Sequence, residues 1–133
     1  MNYIKAFKDT NYIVNIAHNE AITINVGKVY PNLDRAIKPL NTWAFITAYN
    51  PLPKILSDSE NTIRNNNLKQ DIESLGFQFY TGYGIAKDKS WKEESFLIVG
   101  IEKQEAKKLG AKYGQLAILI GKVGLKSELI ILK

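Results

Sequence analysis

The sequence contains no cysteine, a single histidine and only two arginines. The absence of cysteine excludes disulfides, thiolate nucleophiles and cysteine-ligated zinc. His18 lies in a polar stretch without partners at metal-ligand spacing, so we expect a surface histidine and no bound metal or cofactor. No serine occupies a nucleophile-elbow context, and a Ser–His–Asp triad therefore has no support in the sequence.

Long hydrophobic runs are also lacking. The longest ones, such as Leu116–Ile120, are far shorter than the roughly 20 residues of a membrane-spanning helix. The first ten residues, MNYIKAFKDT, lack the layout of a secretory signal. We therefore expect a cytoplasmic protein without membrane contact. The 133 residues have an ordinary globular composition, 45% hydrophobic and 23% charged, which predicts one domain over residues 1–133.

The net charge of +5 comes almost entirely from lysine. Specific nucleic-acid recognition favours arginine, whose planar fork matches phosphates and base edges, and only Arg35 and Arg64 are present. Acidic residues are interleaved with the lysines between Lys87 and Lys126. We favour a solvated lysine surface, and nucleic-acid binding through this surface stays a weaker alternative.

Apolar periodicity predicts seven strands and two helices. The predicted strands are 12–16, 21–26, 43–49, 77–86, a strand ending at Ile101, 115–120 and 127–132. The predicted helices are 57–75, which begins with a Ser57/Glu60 capping box, and 102–113; Asn32 is expected to cap a helical turn, LDRAI. The order from residue 43 to 120 predicts an α+β fold. We expect a ferredoxin-like split βαβ sandwich, two helices on a mostly antiparallel sheet, with an added N-terminal hairpin and C-terminal strand.

The strand 43–49 predicts the two faces of this sheet. Ala44, Ile46 and Ala48 alternate with larger residues and are small enough to pack beneath the helices. The opposite face carries Trp43, Phe45, Thr47 and Tyr49. This aromatic face should be covered either by the first forty residues or by a second copy of the chain in a homodimer.

The helix 57–75 changes character along its length. Leu68, Ile72 and Leu75 form its apolar stripe, and the same rhythm continued toward the N-terminus reaches three polar residues: Asn61, Arg64 and Asn65. One interpretation is a polar site at the start of the helix, in which buried amides would form a hydrogen-bond network. The alternative is a helix that extends past the sheet, with its first turns in water.

The segment WKEESFLIVGI, residues 91–101, carries two adjacent carboxylates before a buried strand. Successive strand residues point to opposite faces, so Glu93 and Glu94 should not converge on one bond. Glu94 shares a face with Phe96 and could act as a general base or bind an amine. A structural pairing with Arg64 or a lysine is the favoured interpretation.

The TGYG segment brings Gly82 and Gly84 close together. Their spacing fits neither a dinucleotide-binding fingerprint nor a phosphate loop. Glycine permits tight turns, and the segment is therefore expected to form a hairpin loop.

Six segments occur along the chain in this order: WAFITAYNP, EN-x-x-RN, GYG, W-x-EESFLIVGI, A-x-x-LG and YGQLAI. Together, over roughly residues 12–120, they resemble the bacterial family called domain of unknown function 3293. Tyr49, Leu52, Pro53 and Tyr113 depart from its pattern. The resemblance implies no established reaction. It marks a set of matching polar-pattern positions: Asn50, Asn61, Arg64, Asn65, Trp91, Glu94, Ser95 and Gln115.

The expected topology divides these positions between opposite edges of the sheet. One cluster comprises Asn50, Asn61, Arg64, Asn65 and Gln115; the other comprises Trp91, Glu94 and Ser95. The leading hypothesis is a non-catalytic module that binds a small ligand or protein partner at the first cluster, for example a phosphate or nucleotide-like anion at the helix N-terminus. The alternative is an enzyme with Glu94 as acid/base, which requires both clusters to meet in one pocket.

Overall fold

A computed structural model of the chain describes residues 3–133. Met1 and Asn2, which belong to the predicted 1–133 domain, lie outside the described residues. The helices are α1 (Tyr3–Lys8), α2 (Pro31–Ala36), α3 (Asp58–Ser74) and α4 (Lys103–Lys112). The strands are β1 (Thr10–Ala17), β2 (Glu20–Ile24), β3 (Thr42–Ile46), β4 (Gln78–Ala86), β5 (Lys92–Val99), β6 (Ala117–Lys122) and β7 (Glu128–Ile131).

All seven strands belong to one sheet in the order β2-β1-β4-β5-β3-β6-β7, and every neighbouring pair is antiparallel. The sheet curls into a half-barrel, and its two edges approach each other at one end. There the amide of Gly27 donates to the carbonyl of Ser127 at 2.9 Å, and the amide of Ser127 donates to the carbonyl of Lys28 at 2.9 Å. The predicted α+β class with an antiparallel sheet is confirmed.

The predicted start of the long helix is also confirmed. Ser57 accepts from the backbone amide of Glu60, and the Glu60 carboxylate accepts in return from the backbone amide of Ser57. The predicted cap at Asn32 is wrong, because the short helix already begins at Pro31, with Tyr30 at the N-cap position. None of the helices within residues 3–133 has the length and apolar character needed to cross a membrane.

Two hydrophobic cores lie on opposite faces of the sheet. Beneath α3 and α4, Ala44, Ile46 and Ala48 pack against helix residues such as Leu68 and Ile72, as predicted. The second core fills the hollow of the half-barrel. Its buried members are Tyr12, Val14, Ile24, Leu33, Ile37, Trp43, Phe45, Leu97, Val99 and Leu119. The aromatic face of β3 is therefore covered by side chains from the first forty residues, which was one of the two possibilities predicted from the sequence.

Two details of the sequence interpretation are wrong. Leu75 lies at the C-cap of α3 and is 56% exposed, because α3 has already ended and the chain turns away from the core there. Gly82 and Gly84 form no hairpin loop; they lie inside β4. A Cβ on Gly82 would lie 2.1 Å from the carbonyl oxygen of Ile13, so glycine allows β1 and β4 to approach closely.

Candidate functional site

The segment that follows β3 is held in place by amide side chains of α3. Asn61 accepts from the backbone amide of Asn50 at 2.9 Å, and Asn65 accepts from the backbone amide of Ala48 at 3.0 Å. Asn61 and Asn65 are four residues apart and so lie on one face of the helix. They are 2% and 7% exposed, so the interpretation of a solvated overhang is wrong and the expected buried network is present.

Arg64 and Gln115 fasten the same segment through its backbone carbonyls. The Arg64 Nε donates to the carbonyl of Ala48 at 2.7 Å, and its Nη2 donates to the carbonyl of Tyr113. The Gln115 Nε2 donates to the carbonyl of Tyr49 at 2.9 Å and more weakly to that of Tyr113 at 3.4 Å. These side chains satisfy backbone groups that would otherwise be buried without partners.

The network fixes the side chain of Asn50, the residue on which it converges. Asn50 has a φ of +38°, a left-handed conformation that asparagine tolerates better than most residues. Its Oδ1 accepts from the backbone amide of Leu56 and from Asn61 Nδ2, both at 2.9 Å. Because a backbone amide can only donate, the orientation of the Asn50 amide is set, and its Nδ2 must point the other way.

The Asn50 Nδ2 donates to Oε2 of Glu93 at 3.1 Å. Glu93 lies on the same face of β5 as the buried Ser95 and Leu97, which turns its carboxylate toward the hollow of the half-barrel. Burial raises the pKa of the Glu93 carboxyl from 4.5 to about 7, and the hydrogen bond from Asn50 only partly opposes this rise. A carboxyl group with this pKa exists in both protonation states near neutral pH.

A cleft opens beside Glu93, between α1 and the segment after β3. Its volume is about 340 Å³, and its walls are largely apolar. The lining residues are Tyr3, Ala6, Phe7, Asn50, Leu52, Ile55, Trp91, Lys92 and Glu93. The helix α1 is fastened over it by β1, since Thr10 Oγ1 donates to the carbonyl of Ala6 at 2.7 Å and Tyr12 Oη donates to that of Phe7 at 2.8 Å.

A smaller chamber of about 40 Å³ lies in the hollow of the half-barrel. It shares Phe7, Trp91 and Glu93 with the cleft and adds polar groups from Thr47, Ser95 and Gln115 to its lining. Glu93 therefore faces both spaces. A polar group of a bound molecule could occupy the chamber while its apolar part lies in the cleft.

Glu94 has a different environment from Glu93, as the strand alternation predicts. Its side chain is 53% exposed, and its Oε1 lies 3.5 Å from the ammonium of Lys92. The structural pairing with Arg64 or a lysine that the sequence favoured is therefore present, with a lysine as the partner. Glu94 lines neither the cleft nor the chamber. Only its backbone joins the network, through a carbonyl that accepts from Thr47 Oγ1 at 2.6 Å and from Asn65 Nδ2 at 3.2 Å.

The expected separation of the polar residues into two edges of the sheet is wrong. β3 and β5 are antiparallel neighbours, with Ile46 opposite Phe96, so the end of β3 meets the start of β5. The structure consequently brings Asn50, Glu93 and Trp91 to one cleft. Of the eight sequence candidates, Asn50, Trp91, Ser95 and Gln115 line the cleft or the chamber, whereas Asn61, Arg64, Asn65 and Glu94 line neither.

Sequence reasoning missed two contributors, Glu93 and α1. A signal for Glu93 was present, because strand alternation places it on the same face as the apolar Leu97 and Val99, and the structure buries that face in the hollow of the half-barrel. Covering the face buries Glu93 and leaves Glu94 outside. No comparable signal marks α1, which has six residues and no acidic residue in its first turn.

Within residues 3–133, no group of three or more histidine, aspartate or glutamate side chains is arranged to hold a metal ion. Neither a curated protein nor a solved structure matches the chain. Residues 46–118 match a protein family described as "Protein of unknown function (DUF3293)". The matched region runs from the end of β3 to β6 and includes the eight polar-pattern positions as well as Glu93. Because the match covers more than half of the 133 residues, the chain belongs to the DUF3293 family.

Proposed function

We propose that this protein binds a small organic molecule in the cleft beneath α1, with Glu93 as the polar group that contacts it. The observation that carries the proposal is a single largely buried carboxylate in the lining of a largely apolar cleft. Small-molecule sites typically combine apolar walls with a few fixed polar groups, and 340 Å³ lies within their usual size range.

The asparagine and arginine cluster has a supporting role in this proposal. The polar side-chain atoms of this cluster already form hydrogen bonds to backbone groups near the end of β3, through Asn61, Arg64 and Asn65. The N-terminus of α3 is already capped by Ser57 and Glu60. The cluster therefore has few free donors for an anion, and the Glu93 cleft is the better candidate for a ligand site. Asn50 links the two, since the cluster orients it and it orients Glu93.

A fragment panel of small amines, alcohols, acids and heterocycles tests the proposal. Binding is followed in ¹⁵N NMR spectra by the indole signal of Trp91, which lines the cleft, with the indole of the buried Trp43 as an internal reference. Ile55→Ser, in the cleft wall, should weaken binding several-fold. Ile63→Ser is the matched control, because Ile63 is also exposed, lies on α3 and lines neither space.

A binder that perturbs Trp91 and responds only to the Ile55 change supports the cleft. A panel in which no compound perturbs Trp91, or in which both isoleucine variants behave alike, refutes it.

A second candidate function is acid/base catalysis by Glu93, in place of Glu94. The favouring observation is the pKa of about 7, which suits a general base near neutral pH. Catalysis requires turnover that Glu93→Gln abolishes while binding of an uncharged ligand persists. Binding without turnover by the native protein leaves the simpler ligand-binding function.

For the architecture, we propose a ferredoxin-like core with additions at both ends. The proposal is supported by the central strand order β4-β5-β3-β6 and by the packing of α3 and α4 on one face of those strands. In this description α1, β1, β2, α2 and β7 are the additions, and α1 forms one wall of the cleft.

A further inference from the structure

We propose that the ligand of the Glu93 cleft is an organic cation, a primary ammonium joined to a compact apolar group. The inference rests on the proposed function and names its ligand class. The chemistry of two side chains, Glu93 and Gln115, selects this class.

Glu93 lacks a cationic partner within the protein. No lysine, arginine or histidine nitrogen in residues 3–133 forms a salt bridge with it. Its Oε2 accepts from Asn50, and its Oε1 accepts no hydrogen bond from these residues. A carboxylate in an apolar site is most stable when a positive charge with N–H donors lies beside it.

Neighbouring lysines have other partners. The ammonium of Lys92, whose residue lines the cleft, lies 3.5 Å from Glu94 Oε1 and 4.2 Å from the centre of the Tyr83 ring. The ammonium of Lys133 donates to the carbonyl of Leu52 at 3.2 Å. The negative charge of Glu93 is therefore left for a molecule that enters the cleft.

Gln115, which lines the same chamber, carries a second acceptor oxygen without a hydrogen-bond partner among the described residues. Its Nε2 faces the carbonyls of Tyr49 and Tyr113, which fixes the amide orientation because carbonyl oxygens only accept. Its Oε1 accepts no hydrogen bond from residues 3–133. Every fully buried side-chain polar atom among those residues has a partner, so this oxygen must be accessible, and Gln115 lines the chamber.

An ammonium group fits these two oxygens because it offers three donors and no acceptor. The chamber of about 40 Å³ admits a group of a few atoms, since one water-sized probe needs about 10–15 Å³. The remainder of the ligand would lie in the cleft against Phe7 and Trp91, where aromatic rings also favour a nearby cation. A bulky polar cation would not match both spaces.

Three probes of similar size distinguish the ligand classes: benzylamine, benzyl alcohol and benzoate. Each is titrated into the ¹⁵N-labelled protein at about pH 8, where Glu93 is mainly ionised and the amine is protonated. The dissociation constant is taken from the Trp91 indole signal. We expect benzylamine to bind at least about 10-fold more tightly than benzyl alcohol or benzoate, a difference of about 1.4 kcal/mol.

Glu93→Gln removes the charge and keeps the side-chain shape, and it should weaken benzylamine binding by at least about 10-fold. Glu73→Gln removes an exposed carboxylate of α3 that lines neither space, and it should leave binding unchanged. The probe series on the native protein needs no variant, so the inference stays testable even if Glu93→Gln perturbs folding.

Equal binding of the alcohol and the amine, or retained amine binding in a folded Glu93→Gln protein, overturns the cation inference and leaves the proposed function intact. If neither these probes nor the broader fragment panel perturbs Trp91, the proposed function itself fails.

Discussion

The side-chain amide of Asn50 lies 3.1 Å from the carboxylate of Glu93, and it joins a structural network to the candidate site. On one side, Asn61 and the backbone of Leu56 hold the Asn50 oxygen. On the other side, the Asn50 nitrogen holds one oxygen of Glu93. This leaves the second carboxylate oxygen available in a fixed position, which is how binding sites obtain specificity from few polar groups.

The raised pKa of Glu93 predicts a pH-dependent stability difference. A folded-state pKa of about 7, above the ordinary 4.5, means that the folded protein binds more protons than the unfolded chain between these values. Glu93 therefore lowers the stability increasingly as pH rises from about 4.5 to 7, by about 3 kcal/mol in all. Tyr12 beside it stays neutral in this range, because burial raises its pKa.

The measurement is urea unfolding of the native protein and of Glu93→Gln at acidic and mildly alkaline pH. The variant should gain stability relative to the native protein at about pH 8 and lose that advantage near pH 4. Glu94→Gln, at an exposed position, serves as the control. A stability difference between native and Glu93→Gln that does not change with pH contradicts the assignment.

Asn61 should contribute far more to stability than Asn66, an exposed asparagine of the same helix. Asn61→Ala leaves the backbone amide and the side-chain oxygen of Asn50 each without one partner. We expect a loss of about 2–3 kcal/mol of unfolding free energy, against less than about 0.5 kcal/mol for Asn66→Ala at an exposed position of the same helix. Chemical denaturation measures both, and equal effects would indicate that the network is not formed.

The features that sequence predicted correctly are those with local causes. The capping box at Ser57 and the small-residue face of Ala44 and Ile46 are governed by short-range backbone and side-chain chemistry. The polar continuation of the α3 stripe was likewise recognisable, because a 3.6-residue period places Asn61 and Asn65 on the buried face. The sequence could not tell what these amides contact, since their partners near Ala48 and Asn50 come from another segment.

The incorrect predictions depend on contacts between distant segments. A glycine such as Gly82 predicts a turn when only the local sequence is considered. The close approach of Ile13 from β1 is the reason why a glycine occupies this strand position. The sequence predicted Glu94 as the site carboxylate, but the hollow of the half-barrel, closed by β1 and α1, encloses Glu93 instead. Both errors come from the N-terminal elements, whose position follows from the pairing of β1 with β4.

Arg64→Lys should destabilise the protein although it preserves the charge. The guanidinium donates to the carbonyls of Ala48 and Tyr113 from two different nitrogens, and a lysine ammonium cannot reproduce that forked geometry. We expect a loss of about 1–2 kcal/mol in unfolding free energy. Arg35→Lys, at an exposed arginine, provides the control and should be close to neutral. An Arg64→Lys protein as stable as the native one would mean that the charge alone suffices.

The two glycines of β4 should differ sharply in their response to alanine. In Gly82→Ala, the new Cβ would lie 2.1 Å from the Ile13 carbonyl oxygen, so β1 must move away, and we expect a loss of more than about 3 kcal/mol. In Gly84→Ala, the nearest atoms, led by a methyl carbon of Thr10 at 3.6 Å, remain at ordinary contact distance, and the change should cost less than about 1 kcal/mol. Thermal unfolding compares the two. Because both substitutions add the same methyl group two residues apart on the same strand, equal losses would show that general glycine effects dominate and that the close approach of β1 to Gly82 does not exist.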